Sequence, residues 1–164
     1  MRFTLLLLSA FLVPALRAQV SPVSVRVEQV AGHSASKGAH EQKRSLKVFT
    51  TNNSATDFSG LKVKYFYFGK DVKTGDVSVI EKGERGADVK ARTTDMTETP
   101  AVTTKYTDDR SEKSGGKGGN NKGGSYKKVE GTGNKIIGHG VQVFAGDKLL
   151  AEFFSEPSLK AKAR

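Results

Sequence analysis

One short run limits what this chain can become. In GLKVKYFYFGKD, Leu61, Val63, Tyr65 and Tyr67 fall at every second position, with Lys62, Lys64, Phe66 and Phe68 between them. Successive side chains of a strand point to opposite faces, so period two writes a β-strand. A helical stripe needs apolar residues three and four apart. The first half of the run has one apolar and one lysine-bearing face, as a half-buried strand does. The second half is apolar on both faces, so that end is either covered on both sides or exposes an aromatic patch.

The same period recurs. In PVSVRVEQV, Val23, Val25 and Val27 alternate with Ser24, Arg26 and Glu28; in RSLKVFTTNNS, Leu46, Val48 and Thr50 alternate with Ser45, Lys47 and Phe49. Between them AGHSASKGAHEQ reads as a small-residue linker with little to bury, and residues 52–56 carry turn chemistry. Shorter strands are expected around 76–82 and 88–94. Pro100 has no amide hydrogen to give a ladder, which makes 101–107 an edge strand or a fresh start. Near the end, VQVF and KLLAEFF flank Gly146-Asp147. Glycine at the first central position of a two-residue loop favours a type II′ hairpin turn. No segment of ten or more residues has helical spacing. About seven short strands predict an all-β fold, an antiparallel β-sandwich rather than a barrel, because strand lengths vary and no barrel or blade period repeats.

The chain opens MRFTLLLLSAFLVPALRA, with Arg2 before the apolar run 3–13, a helix-breaking Pro14, and a small Ala18 ahead of Gln19. That is the plan of a secretory signal peptide over residues 1–18. The apolar run is shorter than the roughly 20 residues a bilayer span requires. The remainder of the chain contains no cysteine. It suits a single domain, 19–157, held by its core rather than by disulfides. An exported, cysteine-free domain points to the periplasm or the exterior of a bacterial cell. Asn52-Asn53-Ser54 fits the N-glycosylation sequon, a tripeptide that often arises by chance.

Lysine and arginine number 27 against 17 acidic residues, a formal charge of +10. The surplus is local. Leaving aside Arg2 and Arg17, residues 110–128 hold six bases and one acid, and the terminal KAKAR adds three bases. The body of the domain is formally neutral. The basic balance therefore describes two appendages, a flexible insertion at 110–128 and a tail at 158–164. It does not describe a basic body of the kind that binds nucleic acid.

The run SLKVFTTNNSATDFSGLKVKYFYFGKD is a strand ending in Asn-rich turn residues, followed by Leu-x-Val-x-Tyr. It resembles the B–C strand pair of immunoglobulin-like and fibronectin type III-like domains, and VQVFAGDKLLAEFFSEP resembles their closing F–G hairpin. Such arrangements occur in uncharacterised exported bacterial proteins. The resemblance implies an immunoglobulin-like β-sandwich over residues 22–157 and brings no catalytic residues with it. The chain departs from antibody-type domains in having no disulfide pair, no tryptophan and no tyrosine in the F-like strand.

Residues 114–128, SGGKGGNNKGGSYKK, invite three readings. A P-loop ends in Gly-Lys followed by Ser or Thr; Lys117 and Lys122 are each followed by Gly, so that reading fails. A nucleic-acid arm joins lysines that neutralise phosphate to aromatic rings that stack bases, and only Tyr126 is at hand, which disfavours nucleic acid as partner. The composition suits a solvated insertion, with Lys113, Lys117, Lys122, Lys127 and Lys128 as candidate contacts to a polyanion. A second candidate is an aromatic binding face of Phe66, Phe68, Phe153 and Phe154, weighed against a plain core role.

Other chemistry is sparse. His33, His40 and Glu41 lie in the expected linker, at a spacing that matches no standard metal site. His139 stands between Gly138 and Gly140, where glycine marks a bulge or a close backbone approach. Asp108-Asp109 adjoin the insertion without defined geometry, and the chain has no G-x-S-x-G elbow. No catalytic residue, metal or cofactor is assigned. The expected function is a non-catalytic exported binding or structural module of the cell envelope, with an unknown protein or glycan as partner and no membrane span once the signal is removed. A small secreted hydrolase or hydrolase inhibitor is the alternative, and a polyanion binder the weaker one.

Overall fold

The computed structural model describes residues 21–36, 38–113 and 126–163. The expected signal peptide, and Lys117 and Lys122 of the insertion, lie outside the described residues. Ten strands succeed one another: β1 Val23–Ser36, β2 Ala39–Asn52, β3 Phe58–Asp71, β4 Val77–Val89, β5 Thr94–Glu98, β6 Val102–Thr107, β7 Arg110–Lys113, β8 Tyr126–Val129, β9 Thr132–Ala145 and β10 Lys148–Phe154. A 3-10 helix, Pro157–Lys162, ends the chain. The fold is all-β and its pairings are antiparallel.

Among the described residues there are ten strands where the sequence pattern predicts about seven, and two stretches depart from that pattern. The supposed linker AGHSASKGAHEQ is the outer half of a long hairpin, in register from Val23↔Asn52 to Ser36↔Ala39. Backbone pairing holds it without a core, and Gly38, at φ 80°, sits in the turn. The ends of the basic insertion likewise pair with each other as β7 and β8.

β2 pairs with β1 on one side and with β5 and then β6 on the other, the break falling at Thr99-Pro100. β9 pairs with β3 on one side and β10 on the other, and β4 flanks β3. The two groups join where Tyr106 and Thr107 meet Gly133 and Thr132. The Gly146-Asp147 turn links Ala145 to Lys148 with positive φ at Gly146 alone, as a type II′ turn requires.

The core lies between these groups. Val23, Leu46 and Val48 pack with Leu61, Val63, Tyr65, Tyr67, Val89, Val141 and Val143, each a period-two position. Burying each such side chain contributes about 1.5–3 kcal/mol. Polar groups are built into the core, Thr99 and Asn52 among them. The Thr99 hydroxyl accepts the Leu46 amide at 2.9 Å and shares a 2.7 Å hydrogen bond with the Tyr67 hydroxyl. Asn52, fully buried, donates to the carbonyls of Thr56 and Val89. The sequon asparagine is thereby consumed by the fold and has no free amide to glycosylate.

Candidate binding groove

The other face of β3 builds the site. Lys62, Lys64, Phe66 and Phe68 point away from the main core. Register sets Lys64 between Glu84 and Gln142, Phe66 between Lys82 and Gly140, and Phe68 between Val79 and Gly138. On β10, Glu152 and Phe154 continue the rows of Gln142 and Gly140. The face therefore passes from charged to aromatic along its length.

Its aromatic end is covered. Phe66 and Phe68 are 7% and 0% exposed, and they cluster with Leu159, Val77, Val79, Ile137 and Phe154. Gly138 and Gly140 make room: a Cβ on Gly140 would stand 2.4 Å from the Phe154 ring. Both roles expected for the glycines around His139 are filled: they allow close approach, and the β3–β9 register breaks beside Gly138, where Ile137 is skipped. Residues 158–163 of the segment expected as a basic tail fold back as a strap. Leu159 is buried in it, and Lys160 pairs with Glu152.

The four expected residues do not form one open aromatic face. Phe66, Phe68 and Phe154 share a cluster with Leu159 of the strap, and of these only Phe66 also lines an open groove. Phe153 has the opposite parity and stacks on His139, with ring centroids 5.8 Å apart.

Beyond the strap the face opens as a groove of about 490 Å³, lined by Lys64, Phe66, Lys82, Glu84, Gln142 and Ala163. A neighbouring pocket of about 360 Å³ shares Phe66, Lys82 and Ala163 with it and reaches Val79, Ile80 and Glu81. The Lys64 ammonium rests 4.8 Å from the Phe144 ring, a cation–π contact that holds it at the groove's polar end. The lining offers two ammonium groups, one carboxylate and one amide over an apolar floor. Among the described residues its lining contains no side-chain hydroxyl, thiol or imidazole.

The remaining candidates fall elsewhere. Lys127 and Lys128 are exposed on β8, and Tyr126 is 70% exposed. Much of the ribbon's charge is matched locally. Lys128 lies 3.2 Å from Asp109, and Arg110 lies 2.8 Å from Glu112. The Gly131 amide, with Lys128, holds the Asp109 carboxyl below the usual carboxylate range.

His33 and His40 do come together. Their rings stack at 5.6 Å, His40 stacks on Tyr106 at 4.8 Å, and the His40 Nε2 lies 3.0 Å from Asp108. The sequence does not announce this row, because the segment has the composition of a linker. The signal it does carry is Lys37-Gly38, a turn dipeptide placed midway between stretches of equal length. Glu41 pairs instead with Lys105, at 3.4 Å. Among the described residues no three His, Asp or Glu side chains converge as a metal site requires. His139 is buried beside Phe153, and burial lowers its pKa.

No family model and no curated protein matches the chain. Among solved structures, the X-ray structure of Northeast Structural Genomics Consortium target SoR45 aligns with 84% of this chain and 89% of that chain, at 12% identity and a TM-score of 0.36.

Proposed function

We propose that this chain is an exported, non-catalytic binding module of the cell envelope, immunoglobulin-like in fold, which holds an anionic glycan in the groove beside the C-terminal strap. The observation that carries the reading is the placement of Lys64, two residues before Phe66 on β3, and Lys82, opposite Phe66 on β4, in the lining of one open groove. Two ammonium groups stand beside the Phe66 ring there, one along β3 and one across on β4, and Gln142 supplies an amide. A sugar carboxylate pairs with an ammonium while its ring face lies against apolar surface.

The immunoglobulin-like part rests on neighbour relations. β1, β2 and β5/β6 follow the order A-B-E, and β4, β3, β9 and β10 follow C′-C-F-G. Export rests on the leader, where Arg2 precedes an apolar run and Ala18. The test is a backbone amide NMR titration with an acidic hexasaccharide, beside an acidic peptide of equal charge. The proposal expects saccharide-induced shifts at Lys64, Phe66, Lys82 and Gln142. Shifts confined to β7 and β8, or produced by the peptide alone, would reject it.

A further inference from the structure

The outer half of β1 is an open sheet edge without the usual guards. Residues 29–36 are exposed throughout, and among the described residues β1 pairs with β2 alone. The Asn53 amide donates to the Pro22 carbonyl at 2.8 Å, so even-numbered residues of β1 bond to β2. In an antiparallel ladder the odd-numbered residues, Ala31, His33 and Ala35 among them, then turn their N–H and C=O groups outward. Native proteins protect such edges with charge, proline, bulges or short length. β4 carries Glu81, Lys82, Glu84, Arg85 and Asp88 and has two register breaks. β10 is short and bulged. Residues 29–36 have neither charge nor proline, and their register is unbroken.

We infer that this edge pairs antiparallel with the same edge of a second copy of the chain, about a two-fold axis through His33. That register sets Ala31 opposite Ala35, Gly32 opposite Ser34, and His33 opposite itself. The side chains brought together over residues 31–35 are each small or an imidazole, so the centre of the contact between two strongly basic chains sets no lysine, arginine or carboxylate of β1 opposite another. The ring row supplies a second reason. Tyr106, His40 and His33 stack in order across β6, β2 and β1 and stop at the open edge. A second copy presents its own His33 at that level and continues the row. Outward backbone groups on both strands then find partners, as in strand addition generally.

The test is sedimentation of the chain from micromolar to millimolar concentration, joined to amide exchange. The inference expects a dimer whose formation adds protection at Ala31, His33 and Ala35, the even-numbered amides being already bonded to β2. Ala31→Pro removes an outward N–H without costing a β1–β2 bond, and His33→Lys sets two ammonium groups face to face. Each should weaken pairing by at least about tenfold. A chain that stays monomeric, a dimer that survives both substitutions, or new protection on β4 or β10 would overturn it.

Discussion

Leu159 occupies the space that Gly138 leaves empty: a Cβ at residue 138 would stand 2.4 Å from Leu159 Cδ1 and 2.7 Å from Ser155 Oγ. One glycine in β9 thus fixes where the C-terminal strap lands. Leu159→Ala should cost about 2–3 kcal/mol in urea unfolding. Gly138→Ala should cost about 1–3 kcal/mol by crowding the same seat. If Leu159→Ala were neutral, the strap would not belong to the folded unit.

Thr99 joins the two halves of the core through single hydrogen bonds to the Leu46 amide and the Tyr67 hydroxyl. Thr99→Val keeps the shape and strands both groups, so it should cost about 2–4 kcal/mol. Burial raises the Tyr67 pKa above 10.0. The unfolded chain therefore loses its phenol proton first, and stability should fall as pH rises beyond about 10. Tyr67→Phe should remove that alkaline phase, which unfolding midpoints measured on both sides of pH 10 would reveal.

His139 gives the opposite dependence. Burial lowers its pKa below 6.5, and its Nδ1 has no hydrogen-bond partner among the described residues. As pH falls through about 6.5, the unfolded state takes up a proton that the folded state refuses, and stability declines. His139→Leu should flatten the stability profile between pH 7 and pH 5. An unchanged slope would place the acid sensitivity elsewhere.

The β7–β8 ribbon pairs with itself and adds nothing to either core cluster. Deleting residues 111–126 should leave the thermal midpoint within a few degrees of the intact chain, since surface changes away from the core cost at most about 0.5 kcal/mol. Loss of cooperative unfolding would show that the ribbon supports the fold.

Period two carried most of the architecture in plain view. Leu61 to Tyr67, Val141 and Val143 are where alternation puts them, because burial on one face is what selects the pattern. Gly146 marked its turn because only one kind of residue adopts that φ cheaply. Residues 31–36 were hidden because a strand exposed on both faces needs no apolar alternation. The strap was hidden because its anchor is a single leucine among lysines. Its seat is a notch that Gly138 and Gly140, far along the chain from Phe66 and Phe68, help to form only after folding. The groove was half legible: Lys64 and Phe66 could be assigned to one face, but Lys82 and Gln142 join them only through register.

The most direct test of the binding account compares three proteins against the same acidic hexasaccharide at low and physiological salt: the intact chain, the chain lacking 111–126, and Lys64→Ala/Lys82→Ala. Exposed charge contacts weaken as the Debye length shortens to about 8 Å, so salt alone does not tell the sites apart; the variants do. The account predicts that the ribbon deletion binds like the intact chain and that the double substitution loses at least about tenfold in affinity. Binding that disappears with the ribbon and survives the double substitution would contradict it.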